Sequence, residues 1–135
     1  MRRAFEAARL TLLGSFAVDV EVSPVRGPKR ARLRGVLGDT GSEFSWIPAE
    51  TLRRIGIAVF KKDQAFVMAN GQTKPRDVGI AILHQNGFMT VDEVVFAKPG
   101  DLTLLGARTL EGFNAHVDHV RRRLVAAGPI PAASS

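Results

Sequence analysis

Phe16, Val18, Val20 and Val22 alternate with Ala17, Asp19 and Glu21, and this period of two constrains the chain more than any other feature. Successive side chains of a strand point to opposite faces, so one face of this segment must be buried and the other wet. Pro24, Gly27 and Pro28 then turn the chain, and Arg30, Arg32 and Arg34 alternate with Ala31 and Leu33 on the return. The pattern reads as a hairpin whose second strand carries its arginines outward. Asn70-Gly71, the strongest short hairpin signal, lies between expected strands at residues 65–68 and 72–74. Asn86-Gly87 turns the chain between strands expected at 78–83 and 89–96. The apolar run 102–105 ends at Gly106, and residues 116–125 read as extended. Helical signals are brief. Pro48 suits a first helical position, Leu52 and Ile55 share a face, and Gly56 suits the stop; a second short helix is expected over 109–112. Many short strands with one or two short helices predict a mostly-β, closed barrel-like domain.

A chain of 135 residues, 45% of them apolar, can bury the core of one domain. That domain is expected over residues 15–126. An N-terminal arm or short helix over 1–14 precedes it, and a flexible tail over 127–135 comes after it. The absence of cysteine excludes disulfides, thiolate metal sites and a thiol nucleophile. Eight Phe, one Trp and no Tyr are too few for a broad base-stacking surface. A net charge of +6 and a pI near 10.8 favour an acidic partner. The arginines of the first hairpin nevertheless read as a solvated strand face, so nucleic acid is not the favoured partner. No window approaches the roughly eighteen apolar residues of a membrane span, and no membrane partner is expected. Arg2-Arg3-Ala4-Phe5 has the start of a twin-arginine export signal, but Glu6 and Arg9 break the apolar stretch such a signal needs next. A cytoplasmic location is the expectation. His116 and His119 flank Asp118, yet residues three apart in a strand face opposite ways, so no metal site is read there.

Chemistry concentrates in the stretch VLGDTGSEFSWIP, residues 36–48. It sets one carboxylate, Asp39, between Gly38 and Gly41, with apolar residues closing in on both sides. Burial makes a charged carboxylate costly, so a chain that places one there aims it at something. Asp and Gly also favour simple turns, which is the plain alternative. Trp46 reads as a core residue.

In order along the chain, DTGS, WIP, LRRIGI, ANGQ and LLGARTLEGF resemble the retropepsin-like aspartic proteases, most closely the small single-domain members of bacteria and other cells. The resemblance covers residues 15–125. It implies an acid-protease fold and peptide-bond hydrolysis by two carboxylates that share a proton around a water. Only Asp39 sits in the motif, so one chain holds half of such a site, and a homodimer pairing Asp39 with its counterpart is implied. The substrate would be a peptide or protein, with no metal and no organic cofactor.

The resemblance also implies roles for neighbouring residues. Thr40 would bond across the interface, and Gly41 would let a backbone N–H approach the carboxylate. Leu104, Leu105 and Gly106 would form the floor of the catalytic loop, and Ala69, Asn70, Gly71 and Gln72 the tip of a flap over substrate. Ser42, as in pepsin-like lobes, is expected to donate its hydroxyl to Asp39 and shift activity toward acid. Gly38 departs from the usual apolar residue, so a looser strand is expected beneath the loop. Two other functions fit the sequence. One is a non-catalytic peptide-binding or dimerisation module on the same fold. The other is a nucleic-acid binder using Arg26, Lys29, Arg30, Arg32 and Arg34.

Overall fold

The computed structural model describes residues 16–133. The arm expected over 1–14 lies outside them, as do residues 134 and 135 of the tail. The described residues are mostly β, with two short helices among them. In order the elements are β1 (Ala17–Ser23), β2 (Ala31–Gly38), β3 (Ser45–Pro48), α1 (Ala49–Arg54), β4 (Val59–Val67), β5 (Thr73–Gln85), β6 (Phe88–Ala97), β7 (Leu104–Leu105), α2 (Ala107–Gly112), β8 (Ala115–Asp118) and β9 (Arg123–Ala126).

The first seven strands form one sheet in the order β1-β2-β7-β3-β6-β5-β4. Glu21, Val22 and Ser23 of β1 also pair with His84, Leu83 and Ile82 of β5, so the sheet returns on itself as a ring. The period-two pattern explains its filling. Phe16, Val18, Val20 and Val22 are all buried, and they pack with Val36, Ile47, Leu52, Leu83, Val94, Phe96 and Leu105. The arginines do point outward: Arg30 and Arg32 form exposed ion pairs with Glu21 and Asp19.

Two crossings position the centre of the molecule. β2 runs parallel to β7, matching Leu37 with Leu104 and Gly38 with Leu105. β3 runs parallel to β6 over Ser45–Pro48 and touches β7 through Trp46 and Leu104. The chain just after Gly38 therefore emerges where two parallel ladders meet.

Several local readings are corrected. The Asn70-Gly71 hairpin is far longer than its turn signal, and the strand expected at 78–83 is the continuation of β5. Pro48 closes β3 in an extended conformation and flanks α1 rather than opening it. The second helix starts at Ala107 instead of Thr109. Residues 116–125 are a hairpin rather than one extended strand, with its turn at 119–122. Asp118 causes the reversal, because its Oδ1 accepts the N–H groups of Val120 and Arg121 at 3.1 Å each. Those hydrogen bonds, that of Arg121 foremost, hold its carboxyl below the usual carboxylate range. Residues 127–133 form no helix or strand. Asn114 nevertheless ties down their start, accepting from Ala127 N–H (2.9 Å) and donating Nδ2–H to Gly128 O (2.6 Å).

Candidate active site

Asp39 comes directly after the last residue of β2, and the residue is buried, 4% exposed. Its own N–H donates to Leu105 O at 2.9 Å, its carbonyl accepts from Ser42 N–H at 3.1 Å, and its Oδ1 accepts from Gly41 N–H at 2.9 Å. The loop tip, Thr40 and Gly41, is exposed.

Beneath the loop, Leu104, Leu105 and Gly106 are buried. The strand under it is not loose. A Cβ on Gly38 would run into the ring of Phe16, so the aromatic side chain fills the space that an apolar residue at 38 would otherwise take. Gly106 is equally confined, since a Cβ there would lie 2.7 Å from Glu43 O and against the Phe44 carbonyl. Ala107 and Arg108, the first residues of α2, donate their N–H groups to Ser42 O (2.7 Å) and Glu43 O (3.1 Å). A directed chain of hydrogen bonds runs below. Gly106 N–H donates to Ser45 Oγ (2.9 Å), Ser45 Oγ pairs with Thr109 Oγ1 (2.5 Å), and Thr109 Oγ1 donates to Asp92 Oδ2 (3.0 Å). Because the threonine proton goes to the carboxylate, the serine supplies the proton of the middle bond.

Across from this loop stands the β4–β5 hairpin. Ala69, Asn70, Gly71 and Gln72 form its tip. Gly71 takes φ +84, and its N–H donates to Met68 O (2.9 Å), while Gln72 N–H donates to Asn70 Oδ1 (3.0 Å). Between hairpin and loop lies a cleft of about 460 Å³. Gly41, Ser42, Phe44 and Trp46 line it on one side, Phe66, Met68 and Asn70 on another, and Leu102 and Leu104 on a third. Asp39 adjoins the cleft through Gly41 and Ser42 and is not itself part of its lining.

No protein-family model and no curated protein sequence matches this chain.

Charged residues lie in and around the cleft, and Glu43, Lys74 and Asp101 are part of its lining. Arg76 and Asp101 are both buried, with side chains 7% and 8% exposed. They meet as a fork, Nε to Oδ2 at 2.8 Å and Nη2 to Oδ1 at 2.9 Å. Burial opposes the Asp101 charge, but the Arg76 hydrogen bonds and the Lys98 N–H outweigh it, so this carboxyl lies below the usual carboxylate range. The same hydrogen bonds raise Arg76 above its ordinary value. Glu93 gathers Lys61 (2.7 Å) and Arg108 (3.1 Å) and is likewise lowered, chiefly by the Lys61 bond. Arg108 also lies 4.8 Å above the Phe44 ring, a cation–π contact. Among the described residues, no group of three His, Cys, Asp or Glu is placed to hold a metal ion, and no helix is long and apolar enough to cross a membrane.

Two readings of side chains change here. The Ser42 hydroxyl has one proton and gives it to Phe44 O at 2.8 Å, not to Asp39. Trp46 is half-buried and lines the cleft, with its ring edge-on to Phe66 at 5.3 Å. Sequence reasoning missed Phe44 and Phe66, whose rings meet at 5.5 Å, and the Arg76–Asp101 pair. For Phe66 the available signal was an aromatic residue in the short apolar run 65–68 that leads into the Asn70-Gly71 turn. The ion pair left none, since its members are 25 residues apart.

Proposed function

We propose that this protein is an aspartic endopeptidase of the retropepsin-like kind, working as a homodimer on peptide or protein substrates. The ring-like sheet is read as the acid-protease fold and the β4–β5 hairpin as its flap. One observation carries the reading. A buried carboxylate, held by the Gly41 N–H on a loop with an exposed Thr-Gly tip, adjoins an apolar cleft covered by a hairpin. Two such loops brought together at a two-fold axis would set the Asp39 carboxylates side by side. Like charges so close do not both ionise, so the pair keeps one proton. The ionised member removes a proton from the water, which attacks the peptide carbonyl carbon. The protonated member donates its hydrogen bond to the carbonyl oxygen as that oxygen gains charge. Collapse of the tetrahedral intermediate passes a proton to the leaving nitrogen and breaks the C–N bond.

The test is cleavage of an unfolded protein at mildly acid pH by wild type and Asp39→Asn, with and without pepstatin, alongside sedimentation. Pepstatin-sensitive cleavage by a dimer is expected, falling roughly 10²–10⁴-fold or more in the variant while thermal unfolding stays cooperative. Cleavage by Asp39→Asn at the wild-type rate would end the protease reading. The commitment of the Ser42 hydroxyl to Phe44 O favours a second reading, a peptide-binding module that does not cleave. Saturable peptide binding without turnover would select it.

A further inference from the structure

The hairpin separates from the body of the sheet between Arg76 and Val78. Val78 is fully buried, whereas residues 73–75 and most of β4 are exposed. Arg76, opposite Gln64 in the ladder, is therefore the last buried side chain before the projecting arm. Its partner Asp101 ends a tight turn. Asp101 N–H donates to Lys98 O at 2.9 Å, and Gly100 takes φ +94 after Pro99, the residue order of a type II turn. Leu102 and Leu104, which line the cleft, come directly after it.

We infer that Arg76 and Asp101 are positioning residues, a fixed pivot that holds the root of the hairpin to the turn forming the far wall of the cleft. Two parallel N–H···O bonds resist rotation in a way that a single contact does not. Two further hydrogen bonds fix the pair: Arg76 Nη1 donates to Pro75 O at 2.8 Å, and Asp101 Oδ2, already bonded to Arg76 Nε, also accepts from Lys98 N–H at 2.8 Å. Farther out, the arm meets the loop through Phe66 against Phe44 and Trp46, contacts that can slide apart without leaving a polar group unpaired. The arm thus lifts about Arg76 by parting the aromatic rings, while the fork keeps the Leu102 wall in register with the hairpin tip. Neither residue touches the reacting atoms. Their effect on turnover rests on the protease reading; their control of the arm rests on the geometry.

Asp101→Asn and Arg76→Lys test this in the full chain. The protein has a single tryptophan, and Trp46 sits under the arm, so acrylamide quenching of its fluorescence reports the opening. In both variants the amides of residues 66–72 are expected to exchange roughly tenfold faster or more, equivalent to about 1.4 kcal/mol of local opening. Residues 94–96 of β6 should keep their wild-type rates, and quenching should rise. KM for a cleaved peptide should rise several-fold with little change in kcat, with Arg76→Lys the milder of the two. A merely structural role would instead speed exchange in β6 as much as in the arm, and that result, or unchanged exchange in the arm, overturns the inference. If Asp101→Asn does not fold, Arg76→Lys decides by the same readouts, and failure of both to fold also counts against a pivot. Faster arm exchange in a protein whose wild type cleaves nothing would keep the pivot and remove the protease reading.

Discussion

The carboxylate loop and the hairpin arm face one another across a single cleft and are held by opposite means. Around the loop, donors and acceptors come from distant parts of the chain: Leu105 O takes Asp39 N–H, and the first residues of α2 donate to Ser42 and Glu43. Its glycines, 38 and 106, leave no room for a methyl group. The arm is held by its own ladder, by turn bonds within residues 68–72, by the ring of Phe66 and by one ion pair at its root. Gly71 has nothing within 4 Å of its Cβ position. The two sides of the cleft are thus built in different ways. Close packing gives the loop its rigidity, since a packed core deforms little. Sparse contact gives the arm a low cost of local opening.

The sharpest way to break this contrast is to add one methyl group on each side. Gly106→Ala forces a Cβ against two backbone carbonyls that cannot turn aside. It should cost about 1–3 kcal/mol or more, seen as a fall of several degrees in Tm. Gly71→Ala meets no atom and pays only for its positive φ, roughly 1 kcal/mol, with local rather than global effect. Equal losses by thermal unfolding would erase the distinction.

Acid should find the difference next. Asp101 and Glu93 both have folded-state pKa values below the ordinary range. Each therefore contributes stability that is present above the unfolded carboxylate pKa of about 4 and is lost as pH falls through the lowered folded value. Tm should decline below about pH 4, and Asp101→Asn should flatten that decline. Glu93→Gln should flatten it less, because Lys61 and Arg108 are far more exposed than Arg76 and such pairs are weak and screened by salt. A decline of unchanged slope in Asp101→Asn would remove the ion pair from the account of acid stability.

Phe66→Ala should act on the arm alone. Each aromatic contact is worth about 0.5–1.5 kcal/mol, and Phe66 makes two, with Phe44 and with Trp46. A red-shifted Trp46 emission with a small change in Tm is expected; a large loss of Tm would make Phe66 part of the core. Ser42→Ala should have the smallest effect, about 0.5–1.5 kcal/mol for one hydroxyl-to-carbonyl bond. The acid limb of any pH–rate curve should not move, because that hydroxyl is given to Phe44 O. A shift of the limb would mean that the serine turns toward Asp39 in solution.

Local pattern alone determined much of this chain. The alternation at 16–22 specified a strand with one buried face, because side-chain direction in a strand depends on parity and nothing else. Asn70-Gly71 and Asn86-Gly87 specified turns, because few residues accept the backbone those turns demand. The glycine-flanked Asp39 and the downstream Leu104-Leu105-Gly106 were legible as a carboxylate loop and its apolar floor, and the structure joins them through Asp39 N–H and Leu105 O. Other features were decided only by tertiary contact. Whether Gly38 loosens the strand depends on Phe16, which fills the space from the foot of β1. The Ser42 proton could go to either of two nearby acceptors, and the path of the chain into β3 put Phe44 O in reach. Trp46 became a wall of the cleft because a hairpin folded across from it. Arg76 and Asp101 carry no mark of partnership in their own neighbourhoods. A charge reads as solvated until the fold buries it, and burial is tolerated only where the opposite charge is brought to meet it.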